Sequence, residues 1–210
     1  MIEFKLFGIP IRVEPVFWLT LGFIGLISFQ PESSEGILIV ALFIIAGFIS
    51  ILIHEMGHAL MIKRYKLPTQ VVLSNFGGYA TYPAGILDRK QSFLVTAAGP
   101  GLQILVAFVL ESFLPSFNLQ GHALFFAFIF IQISFLWAVL NCLPILPLDG
   151  GHMLGSIMGP RRKAAVHLTG IIVAALAGLY ALTVGSIFGA IFMGMFAYQN
   201  YQAWQQTNTT

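Results

Sequence analysis

From Gly36 to Ile62 the chain is almost wholly apolar, and the only ionisable side chains in that run, His54, Glu55 and His58, fall near its end. About 20 apolar residues in helical form cross the hydrocarbon of a bilayer, so the run is long enough to span one. An ionisable residue deep in a bilayer costs roughly 2.5–3.5 kcal/mol on insertion scales. Three of them within five residues therefore demand a reason. Lys63 and Arg64 follow at once, which places the group toward the cytoplasmic end, where part of that cost is relieved.

The rest of the chain agrees with a membrane setting. Hydrophobic residues make up 58% of 210 positions and charged residues 9%, against about a quarter charged in a soluble domain. Further apolar runs extend from Ser92 to Leu110, Ala123 to Leu146, and Ala164 to Leu182, with a shorter one from Pro15 to Phe29. Apolar character continues past Leu182 to Tyr198, too far for one crossing, and Gly185 and Gly189 suit a turn that divides it into two helices. The expectation is an all-α polytopic membrane protein of about six transmembrane helices with a small membrane-associated β element. It is read as one domain over residues 1–210. With six spans and a cytoplasmic N-terminus, all ten Lys and Arg fall on inside segments, while Glu32, Glu35 and Glu111 lie outside, as the positive-inside rule asks. The tail residues Tyr198, Tyr201 and Trp204 suit a membrane interface, and the glycines at 170, 178, 185, 189 and 194 suit close helix packing. The opening MIEFKLFGIPIRVEP lacks a signal-peptide layout, so a prokaryotic cell membrane is expected. A net charge of +2 gives no case for nucleic acid, and the lone Cys142 excludes an internal disulfide framework.

His54-Glu55-Met56-Gly57-His58 fits the pattern H-E-x-x-H. Side chains four apart share one helix face, so both imidazoles can reach one metal, and Glu55 beside them can take a proton from the metal's water. Catalytic zinc uses three protein ligands and an open position, which leaves one ligand to find. Asp88 lies in a charged loop and Glu111 at the opposite membrane face. Asp149 instead follows Asn141-Cys142-Leu143-Pro144-Ile145-Leu146-Pro147-Leu148 and precedes Gly150-Gly151. Its prolines and glycines disrupt regular helix, and broken backbone at membrane depth is tolerated only beside protein or a watery cavity. Asp149 is the chosen ligand; the competing reading is an N-cap or turn aspartate, with His152 as the fallback ligand. His122 and His167 show no partner pattern and read as boundary residues.

HEMGH on one span and N-x-x-P-x-x-P-L-D-G-G on a later one together resemble the site-2 protease family of intramembrane zinc metalloproteases. Phe7–Val13 resembles that family's N-terminal strand-like segment. Phe76-Gly77-Gly78-Tyr79-Ala80 is similar to its glycine-containing hairpin, and Ala98-Gly99-Pro100-Gly101 to the start of its third core helix. The resemblance implies one zinc ion per chain held by His54, His58 and Asp149, with Glu55 as catalytic base and a catalytic core over about residues 36–151. It implies that Asn141 holds substrate or the developing oxyanion; a polar contact between helices is the other reading. The implied activity is hydrolysis of a peptide bond within or near the transmembrane segment of a single-span protein, in regulated intramembrane proteolysis. No further sensing module fits this length, so regulation would need a separate protein. The chain departs from a frequent family pattern at Gln103, where Asn is common; as a non-ligand, it is expected to matter little to catalysis. Val71–Tyr82, rich in β-branched and aromatic residues, reads either as an edge for strand addition to an unwound substrate or as a surface loop. A non-proteolytic zinc-binding membrane protein or regulatory pseudoenzyme is the alternative function, and a membrane scaffold without metal the third.

Overall fold

Ile9, Ile11 and Val13 are buried while Pro10 is exposed, the period-two signature of a strand with one packed face. This strand, β2 (Ile9–Val13), pairs antiparallel with β1 (Ile2–Leu6) across a Phe7-Gly8 turn. Both turn residues have positive φ, 50° and 75°, the mirror-image geometry that follows the twist of a two-residue hairpin. Lys63 donates to the Phe7 carbonyl at 2.6 Å and so ties the hairpin to the end of the metal-motif helix.

The computed structural model describes residues 1–75 and 77–208. It separates into two compact units, one of Met1–Ala84 with Ala98–Ala138 and one of Gly85–Ala97 with Val139–Thr210. In the first unit, α1 (Pro15–Phe29) and α2 (Ser34–Arg64) follow the hairpin, then β3 (Gln70–Ser74) and β4 (Gly77–Thr81). Ser33 caps α2 by accepting from the Gly36 amide at 3.2 Å. The sheet runs β1-β2-β3-β4. Its β2–β3 pair is parallel, with α1 and α2 as the crossover that a parallel pair needs. Ile9, Ile11, Val13, Val71 and Leu73 pack from the sheet onto Phe17, Leu21, Ile51, Met56 and Ala59. The expected small β element is a four-stranded sheet that joins the N-terminal hairpin to Gln70–Ser74 and Gly77–Thr81. Phe76, the first residue of the expected glycine hairpin, lies outside the described residues.

The helix α3 (Arg89–Phe113) begins on a reciprocal cap: Asp88 Oδ1 accepts from the Gln91 amide at 2.8 Å, and Gln91 Oε1 accepts from the Asp88 amide at 3.1 Å. Asp88 is therefore a helix cap. Next, α4 (Gly121–Asn141) ends five residues before the expected Leu146, since Pro144 and Pro147 can supply no amide hydrogen to continue it. In the second unit α5 (Asp149–Met158), α6 (Lys163–Thr183) and α7 (Ile187–Asn208) follow. The last two are the pair anticipated from the run past Leu182, and Gly185 turns between them at φ 76°. Their packing centres on Ala174, Met193 and Phe196 with Ile145. Gly170 and Gly178 face their helix partner closely, whereas a Cβ at Gly194 meets nothing within 4 Å.

Among the described residues, four helical stretches are long and apolar enough to cross a membrane: Ser34–Arg64, Arg89–Phe117, Gly121–Asn141 and Pro160–Thr183. The apolar α1 is shorter, and α7 is not among the four, so the expectation of six spans is met for four helices by length and composition.

Candidate metal centre

His54 and His58 stand one turn apart on α2, buried to 2% and 8% exposure, with Glu55 between them at 4%. The two rings meet edge to face, their planes at 80°, and the Nε2 atoms lie 3.2 Å apart. Two nitrogens each about 2.0–2.1 Å from one tetrahedral zinc would be about 3.3 Å apart. The imidazole pair thus fits a shared metal.

The packing of α2 on α3 explains how these rings are held. A Cβ at Gly57 would come within 2.3 Å of the Ala98 carbonyl, and one at Gly99 within 2.2 Å of His58 Nε2. Both glycines are required by close approach: the α3 backbone lies against α2 with only hydrogen between. Pro100, inside α3, gives up one helical hydrogen bond at this place.

Gln103, one turn further along α3, is 1% exposed and offers Oε1 to His54 Nδ1 at 2.9 Å. Its Nε2 donates to Ser50 Oγ at 2.8 Å and to the Ser50 carbonyl at 3.3 Å, and Ser50 Oγ hydrogen-bonds Ser134 Oγ at 2.8 Å. Gln103, expected above to matter little to catalysis, thus touches a ring nitrogen of His54. Its contact with His54 crosses 49 positions of sequence, which no local pattern reveals. The available signal was a polar side chain inside an apolar span, shared by Ser50, Gln103 and Ser134.

The sheet reaches the same residues. A Cβ on Gly78 of β4 would fall 2.8 Å from Glu55 Cγ and 2.7 Å from Leu73 Cδ2, so β4 runs directly over the Glu55 side chain. Among the described strands β4 pairs with β3 alone, so β4 is an edge strand of the sheet.

In the second unit, Asp149 is the first residue of α5 after Leu148 at the cap, where a carboxylate is favoured by the helix dipole. Gly150 and Gly151 are buried within α5, and their role differs from the helix breaking expected of them. A Cβ on Gly150 would meet the Cys142 and Leu143 carbonyls at 2.2 Å, and one on Gly151 the Leu146 amide nitrogen at 2.5 Å. Only hydrogen fits there, and the loop folds tightly under the turn that presents Asp149. Asn200 on α7 holds that loop by donating to the Leu146 carbonyl at 2.6 Å. His167, read above as a boundary residue, has its Nδ1 3.3 Å from Asn200 Oδ1. In the first unit, His122 likewise gains a neighbour, Glu35 at 3.7 Å. Asn141 closes α4, and His152 is exposed on α5.

Residues 115–185 match peptidase family M50. A Synechocystis protein provisionally named a zinc metalloprotease is 30% identical over 93% of this chain and 57% of its own length. A zinc metalloprotease of Methanocaldococcus jannaschii is 27% identical over 91% of this chain and 54% of its own. The chain thus spans about half the length of these relatives. Among solved structures, the site-2 protease from M. jannaschii superposes with a TM-score of 0.68 at 23% identity, covering 97% of this chain and 94% of that one. That likeness gives the same fold.

Proposed function

From the chain's likeness to M50 peptidases, to zinc metalloproteases and to the fold of a site-2 protease, we propose that it is a site-2 protease-like, zinc-dependent endopeptidase cleaving within or near a transmembrane segment of a membrane-protein substrate. The observation that carries the proposal is the position of Glu55, flanked by two imidazoles with Nε2 atoms 3.2 Å apart and covered by an edge strand. In this reading His54, His58 and Asp149 are the ligands, one carboxylate and two imidazoles for one zinc per chain. Bound there, zinc supplies a Lewis acid that polarises a carbonyl and acidifies water.

A single-span substrate unwinds and adds a strand to the edge of β4, which draws its backbone alongside Glu55. Glu55 takes the proton of the attacking water and returns it to the leaving amine. The Asn141 amide donates to the substrate or to the developing oxyanion. Both units act as one protease domain in a prokaryotic cell membrane, with α1 and α7 completing six crossings and the N-terminus cytoplasmic. The released cytoplasmic fragment is a regulator, and a separate protein controls its release.

The test uses wild type and Glu55→Gln, each co-expressed with a tagged library of single-span membrane proteins. The expected result is one zinc per chain in both and cleavage in wild type alone, reduced about 100- to 10,000-fold in the variant as for a lost general base. Cleavage by Glu55→Gln at the wild-type rate refutes the mechanism. Zinc in both with no cleavage in either favours the non-proteolytic zinc-binding protein.

A further inference from the structure

The orientation of the Gln103 amide follows from one neighbour with a fixed role. The Ser50 carbonyl accepts and never donates, so the Gln103 atom facing it at 3.3 Å is the NH2 group. The amide oxygen then faces His54 Nδ1 at 2.9 Å, and as an acceptor it requires the hydrogen on that nitrogen. Neutral His54 consequently keeps its lone pair on Nε2, the atom 3.2 Å from His58 Nε2. Ser50 Oγ, itself held by Ser134 Oγ at 2.8 Å, accepts a second hydrogen bond from the same NH2 group and keeps it from rotating.

We infer that Gln103 is the positioning residue of the metal centre: it fixes His54 in the tautomer and ring orientation that present Nε2 to the metal. The inference rests on the zinc reading above. It assigns the buried Ser134–Ser50–Gln103 series to the support of a ligand. Polar packing between helices would need the same hydrogen bonds, but a buried carboxylate would then loosen the site more than a methionine does.

Two substitutions separate these roles. Gln103→Met keeps the length and bulk of the side chain and loses the acceptor. Gln103→Glu keeps an acceptor on the Nδ1 hydrogen and buries a carboxylate. Zinc affinity of the full chain in detergent is measured by competition with a chromophoric chelator, and the cobalt(II) derivative is followed by its d–d absorption. Loss of an outer partner of a ligating histidine costs about 10–100-fold in metal affinity. Gln103→Met is expected to lose that much and to shift the cobalt bands, while Gln103→Glu stays within about tenfold of wild type. A packing role predicts the reverse order. Gln103→Met within about tenfold of wild type, or Gln103→Glu weaker than Gln103→Met, overturns the inference. If Gln103→Met does not fold, Gln103→Glu decides alone at the same tenfold boundary. A wild type that binds no zinc overturns the zinc reading and this inference with it.

Discussion

Replacing Gly99 by Ala places a methyl group 2.2 Å from His58 Nε2 and 2.3 Å from its Cε1, where an ordinary contact begins at 3.4 Å. Relief requires a separation greater by about 1.2 Å, against the roughly 0.2 Å within which metal–ligand distances hold. The imidazole can withdraw, and then it no longer reaches the metal. Alternatively α3 can retreat from α2, but Gln103 travels with α3 and leaves His54 Nδ1. Either route removes more than an outer partner, so zinc affinity should fall by more than about 100-fold, the upper end for loss of such a partner, or about 2.7 kcal/mol. Gly101→Ala is the control on the same helix, because a Cβ there meets nothing within 4 Å. It should bind zinc as wild type does and gain up to about 1 kcal/mol of helix propensity. The assay is chelator competition on detergent-purified protein, with zinc-free thermal unfolding run in parallel. Gly99→Ala binding zinc within about threefold of Gly101→Ala, less than even an outer-partner loss costs, would refute this account of the α2–α3 contact.

Asp149→Ala should lose most of its zinc while still folding, as read by metal content per chain; full retention would move the third ligand elsewhere, with His152 next. Gly78→Ala, whose methyl would meet Glu55 Cγ at 2.8 Å, should keep its zinc yet lower kcat on a proven substrate by at least about tenfold, since Glu55 leaves hydrogen-bond reach of the water. Gly170→Ala would bring a methyl within 2.6 Å of Asn200 Oδ1 and displace the donor to the Leu146 carbonyl. Stability should drop by about 0.5–1.5 kcal/mol, the net worth of one part-buried hydrogen bond, measured as a lower Tm in detergent.

Much of the helical framework could be read from the sequence because apolar runs of membrane length leave few choices. The H-E-x-x-H spacing placed His54, Glu55 and His58 on one face from local periodicity alone. Where chain-distant residues meet, local reading fell short. The pairing of β2 with β3 joins Ile11–Val13 to Val71–Leu73 across two helices, and hairpin signals extend only a few residues. Gly150 and Gly151 looked like helix breakers, since propensity is blind to the loop they must accommodate. Gln103 was set aside as a non-ligand; its part depends on which way an amide faces, and that is set by the Ser50 carbonyl on another helix.

The parallel pairing of β2 with β3 also sets a timetable for assembly. The β1–β2 hairpin closes locally, but β2 has no partner on its other side until Gln70 has been synthesised, after α1 and α2. At about 5–20 residues per second, the stretch from Val13 to Gln70 takes roughly 3–11 s. Through that interval β2 is an exposed template for foreign strands. The strand over Glu55 comes later still, because β4 registers only on β3. Nascent chains therefore release H-E-x-x-H from the ribosome before the strand that covers Glu55.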